Sequence, residues 1–248
     1  MTQLDDALHV LQEHLSISDI MSLISKTARW VDPETFKALP VWYPEYARKN
    51  QLFKADWETK SQNKTKGTQV FTYKKEGNVQ ANKALTDALG LEGKHSRQNW
   101  SCCHIWGVDD PTYQMPNEIV QDHRFYSCVA NMVLLPSPLK AFTDMVPEVK
   151  VMLRICAGHM YEWQCDHQSI MHKDYLVSYN DAYPRTWPAR AGELAPGIMP
   201  LNNVIKSRIE KRKSQIRKDL KHAGSMYPTE RVLEAIAYWE KWNGFSLI

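Results

Sequence analysis

His104, in the segment Cys102-Cys103-His104-Ile105-Trp106-Gly107, and Asn131, in the segment Tyr126-Ser127-Cys128-Val129-Ala130-Asn131-Met132-Val133-Leu134-Leu135-Pro136, are residues whose types and placing could do chemistry. An imidazole titrates near neutrality and is suited to taking a proton from water. Trp100 and Trp106 flank His104 and would restrain its ring. If the two apolar segments pair through the loop between them, the Asn131 amide can hydrogen-bond the backbone of the His-bearing strand and fix the hairpin.

The elements that must position these groups follow from spacing. Residues 4 to 15 carry Leu4, Leu8, Leu11 and Leu15 on one helical face, and Ser18 is placed to cap a second helix from Asp19 to Trp30. Asp32-Pro33-Glu34 supplies an N-cap with proline at the first helical position. Residues 54 to 67 are polar and rich in lysine, which suits an exposed loop, and 69 to 73 read as a strand. Asn78 opens a helix bearing Ala81, Ala84, Leu85, Ala88 and Leu89, which Gly90 closes. Residues 99 to 106 and 125 to 135 are the two candidate strands, and 137 to 163 a helical stretch broken at Pro147. Prolines 184, 188, 196 and 200 make 183 to 200 an irregular arm, followed by helices over 201 to 222 and 229 to 242.

At 248 residues the chain can bury a proper core, and 43% hydrophobic with 24% charged residues excludes disorder. No apolar run approaches the roughly 20 residues needed to cross a bilayer. The acidic start Met1-Thr2-Gln3-Leu4-Asp5-Asp6 lacks the features of a secretory signal, so a cytoplasmic address is expected. The odd count of five cysteines fits reduced thiols better than a disulfide framework.

The segment from Asn99 to Asp144 resembles the HNH endonuclease family. Cys103-His104-Ile105 stands against the family's acid-His-Ile/Val start, and Ala130-Asn131-Met132-Val133-Leu134-Leu135 against its Asn-Leu-Val-x-Leu middle. The resemblance implies a hairpin and helix around one divalent cation, Mg²⁺ or Mn²⁺, that cuts DNA to leave a 5′-phosphate. It makes His104 the general base and Asn131 the structural amide. Where the family has an acid or His beside the base, this chain has Cys103, and where it has a later His or Asn, this chain has Lys140. Asp144, one helical turn beyond Lys140, is the expected replacement ligand, because a carboxylate suits a hard cation better than a thiolate. A second register uses Asp122-His123, but it leaves too short a loop before Asn131.

The fold class expected is therefore α+β, mainly helical, with a small ββα-metal core embedded in helical N- and C-terminal regions. Residues 1–95 form the helical region with a basic loop, 96–175 the nuclease core, and 176–248 the proline-rich arm and basic helices. Between Lys206 and Lys221 eight Lys or Arg stand against two acids, so Lys206, Arg208, Lys211, Arg212, Lys213, Arg217 and Lys218 are the expected DNA-binding residues. Aromatic residues are not interleaved with Arg or Lys as in an RNA-stacking strand, which makes double-stranded DNA the expected partner, bound by one chain or a homodimer. Flanking regions on both sides of a small core suit a restriction or phage-defence enzyme. The rival reading is a nonenzymatic nucleic-acid-binding or regulatory protein braced by structural Zn²⁺, held by the cysteines and by His159, His167 and His172. A Cys-His hydrolase using Cys103 or Cys128 has no accompanying acid or glycine motif.

Overall fold

The computed structural model of the protein describes residues 6–49, 62–64, 71–73, 76–107, 118–170, 182–188, 193–224 and 227–247. In chain order the elements are α1 (Ala7–Gln12), α2 (Ile17–Thr27), β1 (Trp30–Val31), α3 (Pro33–Ala38), β2 (Gln62–Lys64), β3 (Phe71–Tyr73) and α4 (Val79–Ala88). They continue with β4 (Trp100–His104), α5 (Glu118–Gln121), β5 (Met132–Pro136), α6 (Lys140–Met145), α7 (Pro147–Tyr161), β6 (Ile198–Met199), α8 (Asn203–His222) and α9 (Thr229–Asn243). The fold is α+β and mainly helical, with strands only in short pairs.

Capping chemistry sets the starts of α2 and α3, whereas Asn78, expected to cap α4, makes no side-chain capping bond and the Glu76 carboxylate accepts the Gln80 N–H at 3.0 Å instead. Asp32 accepts the Glu34 N–H at 2.8 Å and Pro33 opens α3, as expected. Its other oxygen accepts the Leu201 N–H at 3.0 Å, so this cap also holds the C-terminal arm. The start of α2 lies under Ser16, not Ser18: the Ser16 hydroxyl accepts the Asp19 N–H at 3.1 Å. That helix ends at Thr27 because Arg29 turns away to pair with a strand. The first helix is shorter than its leucine spacing predicted, and Leu11 stays 38% exposed. Most of the lysine-rich stretch 54 to 67 and the start of 69 to 73 lie outside the described residues; β2 and β3 pair antiparallel with Gln62 opposite Tyr73.

The central hairpin joins β4 to β5 antiparallel, with Trp100 opposite Pro136 and His104 opposite Met132. Both strands are shorter than the apolar runs that foretold them, because the residues before β5 form a turn and a short 3-10 helix at Val129–Asn131. On the far edge of β5, Arg29 and Leu134 exchange backbone hydrogen bonds of 2.8 and 3.1 Å. Beyond Arg29, β1 pairs in parallel with β6, Trp30 opposite Ile198. The hairpin is thus extended by N-terminal chain on one edge and packed against by α2, α4 and α6, while α7 packs on the 3-10 turn that precedes β5. Pro147 begins α7, so the predicted break between two helices is observed.

One hydrophobic cluster gathers residues of all three expected regions, including Ile24, Phe36, Leu85, Val133, Met152, Ile209 and Trp239. Regions 1–95, 96–175 and 176–248 therefore share one core, and the hairpin has no core of its own. Aromatic packing ties their ends together: the Phe36 ring lies 5.0 Å from Tyr161 and 5.6 Å, edge-on, from Trp239. No helix among the described residues is long and apolar enough to cross a membrane.

Candidate functional site

The end of β4 delivers His104 to the wall of a cleft of about 200 Å³, whose lining includes Arg48, Cys103, His104, Lys140, Asp144 and Lys150. Three elements converge there. The hairpin supplies Cys103 and His104, α6 supplies Lys140 and Asp144, and α7 supplies Lys150. Asn131 stands behind the wall, fully buried, and closes the turn that separates the strands. Its Oδ1 accepts the Trp106 N–H at 2.7 Å, its Nδ2 donates to the Phe125 carbonyl at 3.1 Å, and its backbone carbonyl accepts the Ile105 N–H at 2.9 Å. An amide can accept and donate at once, from separate atoms, without burying a charge.

The turn in its turn holds the imidazole. His104 Nε2 lies 2.9 Å from the Tyr126 carbonyl. A carbonyl only accepts, so Nε2 carries the proton and Nδ1 keeps the lone pair. Tyr126 also stacks on the histidine, ring centroids 5.9 Å apart and planes 27° apart. Its hydroxyl donates to the buried Glu76 carboxylate at 2.7 Å just ahead of α4. Burial pushes the His104 pKa down to about 4, with Arg48 and Lys150 pressing in the same direction and the Tyr126 carbonyl opposing. At neutral pH the ring is an uncharged, oriented base. From below, Arg154 of α7 donates to the Ile105 carbonyl at 3.3 Å and pins the end of β4.

In comparisons with known proteins, no family model, no curated protein and no solved structure matches this chain. The site must be read from its own geometry.

Cys103, His104 and Asp144 share the cleft, but they do not assemble a hard-metal donor set. Burial raises the Cys103 thiol to about 12, so it is protonated at neutral pH and soft besides. Asp144, expected as replacement ligand, instead pairs with Lys140, its Oδ2 3.6 Å from Nζ across one helical turn. Among the described residues no group of three or more His, Cys, Asp or Glu is gathered for a metal. The described residues therefore do not gather the donors of a resident Mg²⁺, and those that line the cleft include Arg48, Lys140 and Lys150 beside the carboxylate of Asp144. The zinc reading fares similarly among described residues. All five cysteines are free, four of them fully in the core, and burial raises the thiol pKa of Cys128 to about 12. His167 is held by Ser169 at 2.7 Å, and His172 lies outside the described residues. His123, of the rival register, is buried with Nδ1 2.6 Å from the Pro44 carbonyl.

The basic helix α8 divides into two sets. Lys206, Lys211 and Lys218 are exposed, as a phosphate-binding face requires. The arginines are each tied to another element, contrary to expectation, with Arg208 and Arg212 partly buried and Arg217 exposed. Arg212 grips the buried Glu45 carboxylate and the Trp42 carbonyl, Arg208 donates to the Leu91 carbonyl at 2.8 Å, and Arg217 donates to the Leu247 carbonyl at 2.5 Å. Lys213 lies over the Phe245 ring at 5.3 Å. These four side chains fasten α8 to its neighbours.

Arg48, Lys150, Tyr126 and Glu76 carry roles that sequence reasoning missed. A signal existed for Lys150, a charge inside the apolar run Val149 to Leu153, and for Tyr126, which opens the second apolar segment. Nothing local marks Arg48 or Glu76, whose parts depend on contacts made far along the chain.

Proposed function

We propose that this chain is a nuclease that hydrolyses phosphodiester bonds of DNA, with His104 as general base. The observation that carries the reading is an uncharged imidazole with its Nε2 proton tied to the Tyr126 carbonyl, set at the end of a hairpin strand in a cleft lined also by Arg48, Lys140 and Lys150. A phosphodiester anion is drawn to Arg48, Lys140 and Lys150, and its negative charge raises the imidazole pKa back toward neutrality. His104 Nδ1 then takes a proton from water as the water oxygen forms its bond to phosphorus. The P–O bond to the 3′-oxygen breaks, that oxygen takes a proton from solvent, and the 5′-phosphate remains. Restriction or phage defence is the setting proposed for such an activity. Three exposed lysines of α8 are the proposed tracking surface for the phosphate backbone.

Incubation of supercoiled plasmid with the purified protein in Mg²⁺, in Mn²⁺ and in EDTA tests the reading. Nicking or linearisation is expected, and His104→Ala should abolish it while the thermal unfolding midpoint stays within a few degrees. Undiminished cutting by a folded His104→Ala protein removes His104 from the mechanism. No cutting in any of the three conditions removes the nuclease.

A further inference from the structure

Beside the His104 cleft lies a larger one of about 650 Å³, lined by α4, the chain leading into β4, and the outer edge of β4 itself. The two are continuous, for Asn78, Cys102 and Lys140 line both. Lys140 stands at the junction. The larger cleft is furnished unlike a core void. Its wall includes the partly buried Trp100 ring, the Arg97 guanidinium, the amides of Asn78 and Asn82, and Lys83, which pairs at 2.6 Å with the Asp87 carboxylate that also lines the cleft. Arg29 sits over the Trp100 ring at 5.3 Å and braces it. Arg97 donates to Asn82 Oδ1 at 3.2 Å, and its Nε is a buried donor with no acceptor among the described residues.

An indole face, two amides and three cations leading to an oriented base are the groups that bind one nucleotide and its phosphates. At about 650 Å³ the cleft lies within the roughly 300–1,000 Å³ of pockets that take one small ligand, a size that suits a single nucleotide. We propose that this cleft takes an unpaired nucleotide, with the base against Trp100, one phosphate at Arg97 and Lys83, and the next at Lys140 facing His104. The inference rests on the nucleic-acid reading of the His104 cleft and names its substrate as a single strand, or a duplex at a point where a base has left the stack.

The test uses the 248-residue chain in EDTA with a fluorescein-labelled oligothymidylate and a hairpin duplex of equal nucleotide number, read by anisotropy. The single strand should bind about tenfold tighter or more, and Trp100→Ala should lose about tenfold for the strand while leaving the duplex nearly unchanged. Trp100→Phe should retain most of the affinity. Because Trp100→Ala can perturb folding, photocrosslinking of a 5-iodouracil oligonucleotide to the wild-type protein, mapped by peptide mass, provides a second readout. It should label Trp100 or its neighbours on β4. Equal binding of strand and duplex, no binding of either, or crosslinks confined to α8 would overturn the proposal. Plasmid cutting combined with Trp100-independent binding refutes this cleft and spares the nuclease. Trp100-dependent binding by a protein that cuts nothing refutes the nuclease and spares the cleft.

Discussion

Asn131 is the residue on which the site's geometry turns, and its removal has a calculable cost. Asn131→Ala leaves the buried Trp106 N–H without its acceptor and takes one of two donors from the Phe125 carbonyl, which keeps the Cys128 N–H at 3.3 Å. An orphaned buried donor costs about 1 to 3 kcal/mol, and the lost second bond to the Phe125 carbonyl adds to that. That is a large share of the roughly 5 to 15 kcal/mol by which domains are stable. Asn131→Asp separates the two bonds. The ionised carboxylate still accepts from Trp106 but cannot donate to Phe125, and it places a charge in the core. A protonated carboxyl can donate, so the deficit of the Asp variant relative to the wild type should shrink as the pH falls, while that of the Ala variant should not. Urea unfolding followed by circular dichroism, at neutral and mildly acidic pH with a constant m-value, measures both. An Asn131→Ala protein within about 1 kcal/mol of the wild type, or an Asp variant whose deficit ignores pH, would show that these bonds do not close the turn.

Three further outcomes are expected. Burial lowers the pKa values of His104, His123 and His167, so the unfolded chain binds protons first; stability should be complete above about pH 6.5 and fall as the pH drops toward 4. His104→Gln should flatten part of that fall in thermal melts, and an unchanged pH slope would contradict the assignment. Arg212→Ala abandons the buried Glu45 carboxylate and should cost about 3 to 5 kcal/mol, whereas Lys211→Ala one residue earlier should cost less than about 0.5 kcal/mol in the same denaturant assay. Gly107→Ala would set a Cβ 2.7 Å from Val120 Cγ1 and 3.2 Å from His104 Cβ, so plasmid cutting should drop well before the fold is lost; equal activity would show that the histidine tolerates displacement.

The local signals in the sequence were legible where one short stretch decides the outcome. Asp32-Pro33 begins a helix, Pro147 breaks one, and Asn131 closes a turn, because capping, proline geometry and amide hydrogen bonding act within a few residues. The charge pattern of 206 to 221 misled for the opposite reason. Periodicity shows a basic stripe, but the arginine that turns inward is decided by Glu45, far away in the chain. The same holds for the cleft. Its histidine could be named from sequence, whereas Arg48 and Glu76 enter through tertiary contacts that leave no periodic trace. Cys103 and Lys140, which break the family's pattern, mark the place where the described donors stop resembling a cation site.

The pairing of β1 has a consequence for how the protein is made. Residues 29 to 31 lie between Leu134 of β5 and β6, so they have one finished edge only after the hairpin exists and both only after Met199 has been synthesised. At ordinary elongation rates that interval is on the order of ten to thirty seconds, during which the apolar Trp30 and Val31 have no permanent cover. A nascent chain arrested before the proline-rich arm should therefore engage chaperones and be open to protease near residue 30. Release past residue 199 should close that window for residues 29 to 31, making completion of the arm the step that covers this edge.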